Sequence, residues 1–264
     1  MLGHDSLGSG PRRVLVLNDW LCDTSTWDSA RPYLDGAAFT WVFADLRGYG
    51  RSRGQAGAHT VAEGAADVIA LADARGFGRF TIVGHSMSSL VALHLAQQRP
   101  DRIESAVVVT PPPPAGFGAD AGTVEAMEAL ARGDDARRAR GVRTLLGDRL
   151  SEGWIRFKAE RWRATADPEA VAAYVAMFAR DGLPDRASRV ARPVLAVTGE
   201  EDAEIMRSAA VTRLLAPLCE RLVVVPLPGC GHYPMQECPP LLVGHVERFL
   251  EAPHAHDGSS AERS

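Results

Sequence analysis

Lysine is almost missing from this chain: 28 of its 29 basic residues are arginine, an imbalance read here as coding-sequence bias rather than chemistry. Cysteine is also scarce. Cys22, Cys219, Cys230 and Cys238 show no C-x-x-C spacing, so neither a zinc site nor a disulfide framework is suggested, and reduced, partly buried thiols in a cytoplasmic setting are expected. No run of 18 apolar residues exists to span a bilayer, and no apolar leader opens the chain. A formal charge of −4 gives no electrostatic case for a nucleic-acid or membrane partner. Neither a phosphate-cradling Gly-rich loop, a dinucleotide fingerprint nor a metal-ligand cluster is recognisable, so no cofactor and no metal are expected. There is no internal repeat.

The 264 residues present are 46% apolar, enough for one sizeable core. Strand-like runs at Arg13–Leu17, Trp41–Ala44, Arg79–Val83, Ser105–Thr110, Pro193–Thr198 and Arg221–Leu227 alternate with helical patterns at Val61–Arg75, Met87–Gln98, Ala209–Leu218 and Leu241–Glu251. Several of the strands are unbroken Val/Ile/Leu runs, as when helices bury both faces of a parallel sheet. The pattern predicts an α/β fold with a mainly parallel, doubly wound sheet. It breaks at Thr110 and the four prolines after it, which can neither continue a strand nor enter a helix interior. We therefore expect a core of 12–114 and 189–251, with a lid of three or four helices (115–188) inserted after the sixth strand. In that insertion Trp154, Phe157, Trp162, Tyr174, Met177 and Phe178 stand at helical spacings. Each taken singly is read as packing; together they predict an apolar pocket of modest size. The polar ends, 1–11 and 252–264, are expected to be mobile, with His254 and His256 solvated.

The richest stretch is Thr81–Ser88, TIVGHSMS. A strand ends in Gly84-His85-Ser86-Met87-Ser88 and a helix begins at once, the context in which a sharp turn lifts a serine hydroxyl clear of the sheet. Such a turn needs small neighbours, and Gly84 and Ser88 are small. A nucleophilic serine needs a base, and the base an orienting group. His232 follows the strand Arg221–Leu227 and the turn 228–231; Asp202 follows the strand Pro193–Thr198, with Glu201 the next candidate for the acid. Both stand beyond carboxyl ends of strands, where open α/β sheets carry their sites. The blander readings are a helix cap for Ser86 and an unemployed turn residue for His232. His85 is read as packing, and Asp45 and Arg47 as tying down their loop.

These residues, with Asp45-Leu46-Arg47-Gly48-Tyr49-Gly50-Arg51-Ser52 and Gly229-x-Gly-His232, resemble the α/β-hydrolase fold superfamily over Val14 to Leu250, and within it the small serine hydrolases with a helical lid. The motif departs from G-x-S-x-G at Ser88. The resemblance implies Ser86 as nucleophile, His232 as general base and then acid, and Asp202 as the residue that holds the imidazole. An oxyanion needs two donors: the Met87 amide, and by the family's H-G-x loop the Trp20 amide. Here Asn18-Asp19 replaces His-Gly. A carboxylate facing that hole would oppose the developing charge by ~1 kcal/mol or more, whereas one facing solvent or a basic partner would do little harm; Asp19 is read as shaping the turn.

Three functions fit the sequence. One is a serine hydrolase of a small, fairly apolar ester, lactone or activated C–C bond, acting through an acyl-enzyme. Another is a cofactor-free dioxygenase or lyase using the His/Asp pair as base, and the last is a ligand sensor on the same scaffold. The expected partner is a small molecule, apolar or moderately polar; monomer and dimer are both open.

Overall fold

The computed structural model describes residues 1–146 and 149–252. Seven strands form one sheet in the order β1-β3-β2-β4-β5-β6-β7, built from His4–Leu7 (β1), Arg12–Leu17 (β2), Phe39–Ala44 (β3), Phe80–His85 (β4), Ile103–Val109 (β5), Val194–Gly199 (β6) and Leu222–Leu227 (β7). From β3 to β7 every neighbouring pair is parallel. Parallel neighbours require crossovers, and helices Val61–Ala74 (α1), Ser88–Gln98 (α2) and Ser208–Leu215 (α7) supply three of them. Central strands β3, β4 and β6 are buried at every residue, which is why their sequences are continuous rather than alternating. Edge strand β7 is half-exposed and contains Pro226, a residue that a sheet tolerates only where no further ladder needs its missing N–H.

The N-terminus departs from expectation. Residues 1–11 were expected to be mobile, yet His4–Leu7 pair antiparallel with Trp41–Ala44. Leu2 is buried in the core, the Gly3 amide donates to Ser52 Oγ, and Asp5 pairs with both Arg31 and Arg51. One anchoring leucine and two ion pairs order a segment that looks polar in isolation. The expected C-terminal tail 252–264 lies, from residue 253 onward, outside the described residues.

At Thr110 the chain leaves the sheet with a positive φ of 43°. It returns only at β6, so the insertion follows the fifth strand of the chain, not the sixth. Between them run Ala121–Ala131 (α3), Asp135–Leu146 (α4), Glu152–Thr165 (α5) and Pro168–Ala176 (α6), then a π-helical turn Met177–Asp181 closed by Gly182 at φ 66°. Asp120, Ser151 and Asp167 cap α3, α5 and α6 through backbone amides. After β7 a short helix Pro234–Glu237 (α8) leads into Pro239–Glu251 (α9), each opened by proline at its first helical position. Among the described residues no helix is long and apolar enough to cross a membrane.

Candidate active site

The turn between β4 and α2 holds Ser86 at φ 53°, a left-handed backbone that costs a non-glycine residue of order 1 kcal/mol or more. Local bonds hold it there. The Ser86 amide donates to the Val109 carbonyl, and Ser89 Oγ donates to the Gly84 carbonyl. Ser88, the departure from glycine, has a use: its hydroxyl accepts from the His85 amide at 2.9 Å and donates to the His85 carbonyl at 3.1 Å, closing the turn from within. Gly84 admits no substitute, since a β-carbon there would collide with the backbone of Ser88 and Ser89.

The ends of β6 and β7 bring two more groups to this hydroxyl. His232 Nε2 lies 3.0 Å from Ser86 Oγ, and His232 Nδ1 lies 2.7 Å from Asp202 Oδ2. The second Asp202 oxygen accepts from the Ala203 amide. The β6 end can approach the His232 turn so closely because Gly199 has no side chain to meet the Gly231 carbonyl. The residue before the acid, Glu201, is exposed, with its amide on the Cys230 carbonyl; it is Asp202 that touches the imidazole. Burial alone would lower the His232 pKa, but the Asp202 charge and hydrogen bond, helped by Asp19, outweigh it and leave the pKa above the ordinary value.

His85 does more than pack. It is fully buried, and its Nε2 donates to the His232 carbonyl at 2.8 Å, beside a second donation from Thr110 Oγ1 at 3.1 Å. These two bonds fix the backbone of the imidazole-bearing residue. Burial pushes the His85 pKa down against the raising influence of Asp19, and the lowered pKa favours the neutral ring. Asp45 and Arg47 stay out of the site. Asp45 accepts from the Thr24 and Arg51 amides, and Arg47 makes a bidentate pair with Asp67.

The loop after β2 is held at every turn. Asn18 Nδ2 donates to the Asp19 and Cys22 carbonyls, and Asn18 Oδ1 accepts from the Leu46 amide. Asp19 Oδ1 accepts from the Leu21 and Cys22 amides. The Trp20 carbonyl takes the Tyr49 hydroxyl, and its indole N–H donates to Val171 of α6. Asp19 therefore does shape the turn, as expected, but its carboxylate is buried and faces Lys158 of α5, with Nζ 3.3 Å from Oδ2. Burial would raise the Asp19 pKa; the Lys158 charge and the hydrogen bonds overcome this and hold it well below the usual carboxylate range.

A cavity of about 700 Å³ opens over Ser86. Asp19, Trp20, Ser86, Asp202 and His232 line it from the sheet side, and Met127, Leu130, Trp162 and Phe178 from the insertion. Of the five insertion aromatics and one methionine singled out by spacing, Trp162 and Phe178 reach the cavity, both within 6 Å of the Trp20 ring. Tyr174 instead stacks on Tyr49 and His59, Trp154 packs on Tyr233, and Phe157 faces outward. Among the described residues no three His, Cys, Asp or Glu side chains are grouped to hold a metal ion.

Residues 14–244 match the profile of the alpha/beta hydrolase family. The chain belongs to that family. A pimeloyl-[acyl-carrier protein] methyl ester esterase from Nitrosospira multiformis is 24% identical to this hydrolase over 260 residues, covering 93% of it and 96% of the relative. The esterase of the same description from Nitrosomonas europaea is 26% identical, covering 89% and 94%. Among solved structures, the enol-lactonase from Burkholderia xenovorans superposes with a TM-score of 0.80 at 21% identity, covering 94% and 96%, and shares the fold.

The sequence reading overlooked Met127, Leu130 and Arg149, which line the cavity, and Lys158, which pairs with Asp19 beside it. A signal was present: the sole lysine in a chain of 28 arginines stands on one turn of an otherwise charged helix. No local motif marks it, because its partner Asp19 is distant in the chain.

Proposed function

We propose that this hydrolase cleaves small, fairly apolar carboxylic esters or lactones through an acyl-enzyme on Ser86. The observation that carries the reading is His232 bridging Asp202 at 2.7 Å and Ser86 at 3.0 Å, below an apolar cavity. Ser86 Oγ attacks the carbonyl carbon while His232 Nε2 takes its proton; the oxyanion is held by the Met87 and Trp20 amides. The same proton then goes to the leaving alcohol, and water, deprotonated by His232, releases the acid. Asp202 accepts from Nδ1–H, keeping Nε2 free as the base and stabilising the imidazolium. Helices α3 to α6 serve as the lid, excluding bulk water and setting the shape of the acyl pocket. The methyl ester esterases and the enol-lactonase among the similar proteins agree with ester or lactone chemistry.

The test is a fluorophosphonate probe followed by mapping of the modified residue, with Ser86→Ala and His232→Ala alongside. Stoichiometric labelling at Ser86 that both substitutions abolish is expected, with turnover of short esters or lactones. A folded wild type that stays unlabelled would sink the proposal. Oxygen consumption that survives Ser86→Ala but not His232→Ala would replace it with the base-only reading.

A further inference from the structure

The cation beside Asp19 comes from the insertion, whereas the loop it reaches belongs to the sheet. Lys158 is 1% exposed. Its ammonium lies 3.3 Å from Asp19 Oδ2, 3.1 Å from Thr26 Oγ1 and 3.9 Å from the centre of the Tyr233 ring. Thr26 in turn donates to Asp19. The slot between a carboxylate, a hydroxyl and an aromatic face suits a compact ammonium, not a planar guanidinium, in a chain that uses arginine everywhere else. Asp19 immediately precedes Trp20, and Tyr233 immediately follows His232. The pair thus stands beside both the oxyanion loop and the base.

We infer that Lys158 is a positioning residue for the hydrolysis proposed above, its charge neutralising Asp19 so that the Trp20 amide can receive a developing oxyanion. The inference rests on that reading of Ser86. Uncompensated, a buried carboxylate one residue from the donor would repel the negative charge of the tetrahedral intermediate. With the cation in place the loop keeps the amide-fixing bonds of Asp19 without its field. The insertion therefore contributes more than a wall: without Lys158 of α5 the Asp19 carboxylate would keep its bonds to the Leu21 and Cys22 amides and the Thr26 hydroxyl, and the His85 ring 3.6 Å away, but no lysine or arginine would lie against it.

The test compares Lys158→Met with the charge-neutral pair Asp19→Asn/Lys158→Met, reading fluorophosphonate labelling of Ser86, kcat and KM on a short ester, and the pH profile. Lys158→Met is expected to slow labelling and kcat about 10- to 100-fold with KM little changed, and the double variant to recover to within about fivefold of wild type. The acidic limb of kcat/KM supplies a readout that a structural role would leave still. His232 is faced by Asp202, Asp19, Lys158, His85 and Tyr233. Losing the cation alone should move the limb to higher pH, and losing Asp19 as well should bring it back. If Lys158→Met does not fold, Lys158→Gln takes its place with the same expectations. Equal losses in single and double variants, with an unmoved limb, would overturn the inference while leaving Ser86 labelling of the wild type intact. Failure of the wild type to label would remove both readings.

Discussion

The sheet and the helical insertion contribute to one cavity by different means. In the sheet, the groups nearest the Ser86 hydroxyl sit at strand ends and are fixed by backbone: a positive φ at Ser86, amides on Asp19 and Asp202, and two donors on the His232 carbonyl. In the insertion, the contributing groups are mostly large apolar side chains held by packing, with Arg149 on the cavity wall paired to Glu237 and Lys158 behind it against Asp19. Chemistry of fixed geometry belongs to the first region, and shape and charge balance to the second. Hence substitutions at strand ends should lower turnover in an intact fold, those of the insertion's apolar side chains should change binding and stability together, and Lys158, which reaches back to the sheet, should behave like the first group.

The sharpest way to test that division is Asp202→Asn. It keeps the shape but lets the amide favour the wrong imidazole tautomer, and kcat should fall about 10³- to 10⁴-fold with an unchanged circular dichroism spectrum. A change in melting temperature as large as that of a core deletion would break the comparison. Trp162→Ala on α5 should do the opposite. Removing a fully buried indole that packs on Trp20 should cost about 3–5 kcal/mol in denaturant unfolding, and in the folded fraction KM should rise more than kcat falls.

A milder test uses pH. In the proposed mechanism His232 acts as base only when neutral, and its pKa is raised by Asp202 and Asp19 against burial. Activity should therefore fall as pH drops through a value above the ordinary 6.5 or so of histidine. In Asp202→Asn the residual activity should persist to lower pH, because the largest raising influence is gone; a limb that stays put would assign the ionisation elsewhere. The smallest effect belongs to Phe157→Ala. Although it immediately precedes buried Lys158 on α5, Phe157 is 47% exposed, and its loss should stay within about 0.5 kcal/mol and leave kcat and KM unchanged. A measurable KM shift there would mean that the outer face of α5 also meets substrate.

The same division governs what could be read from sequence. The elbow and the proline break at Thr110 are local patterns with local causes, whereas the order Ser86, Asp202, His232 was legible through each residue's place after a strand and through the family resemblance, with Asp202 and Glu201 not separable from sequence. Strand boundaries came within two residues because continuous Val/Ile runs have few other uses. The first strand was not legible: HDSL carries no apolar period, and it is ordered by Leu2, by Ser52 and by ion pairs to distant arginines. In the insertion, helical spacing identified aromatics but could not tell Trp162 and Phe178 from Tyr174, since one helix presents several faces and only tertiary packing chooses among them. Asp19 was legible as a turn-shaper through its neighbours, but its pairing with Lys158 is a long-range fact.

The solitary lysine also makes the molecule its own reporter. Apart from the terminal amine, every primary amine of this chain is the one held against Asp19 and Tyr233. An amine-directed acylating reagent can add there only when α5 lifts from the sheet. Incorporation of a second label per chain therefore counts how often Lys158 leaves Asp19, without any engineered probe.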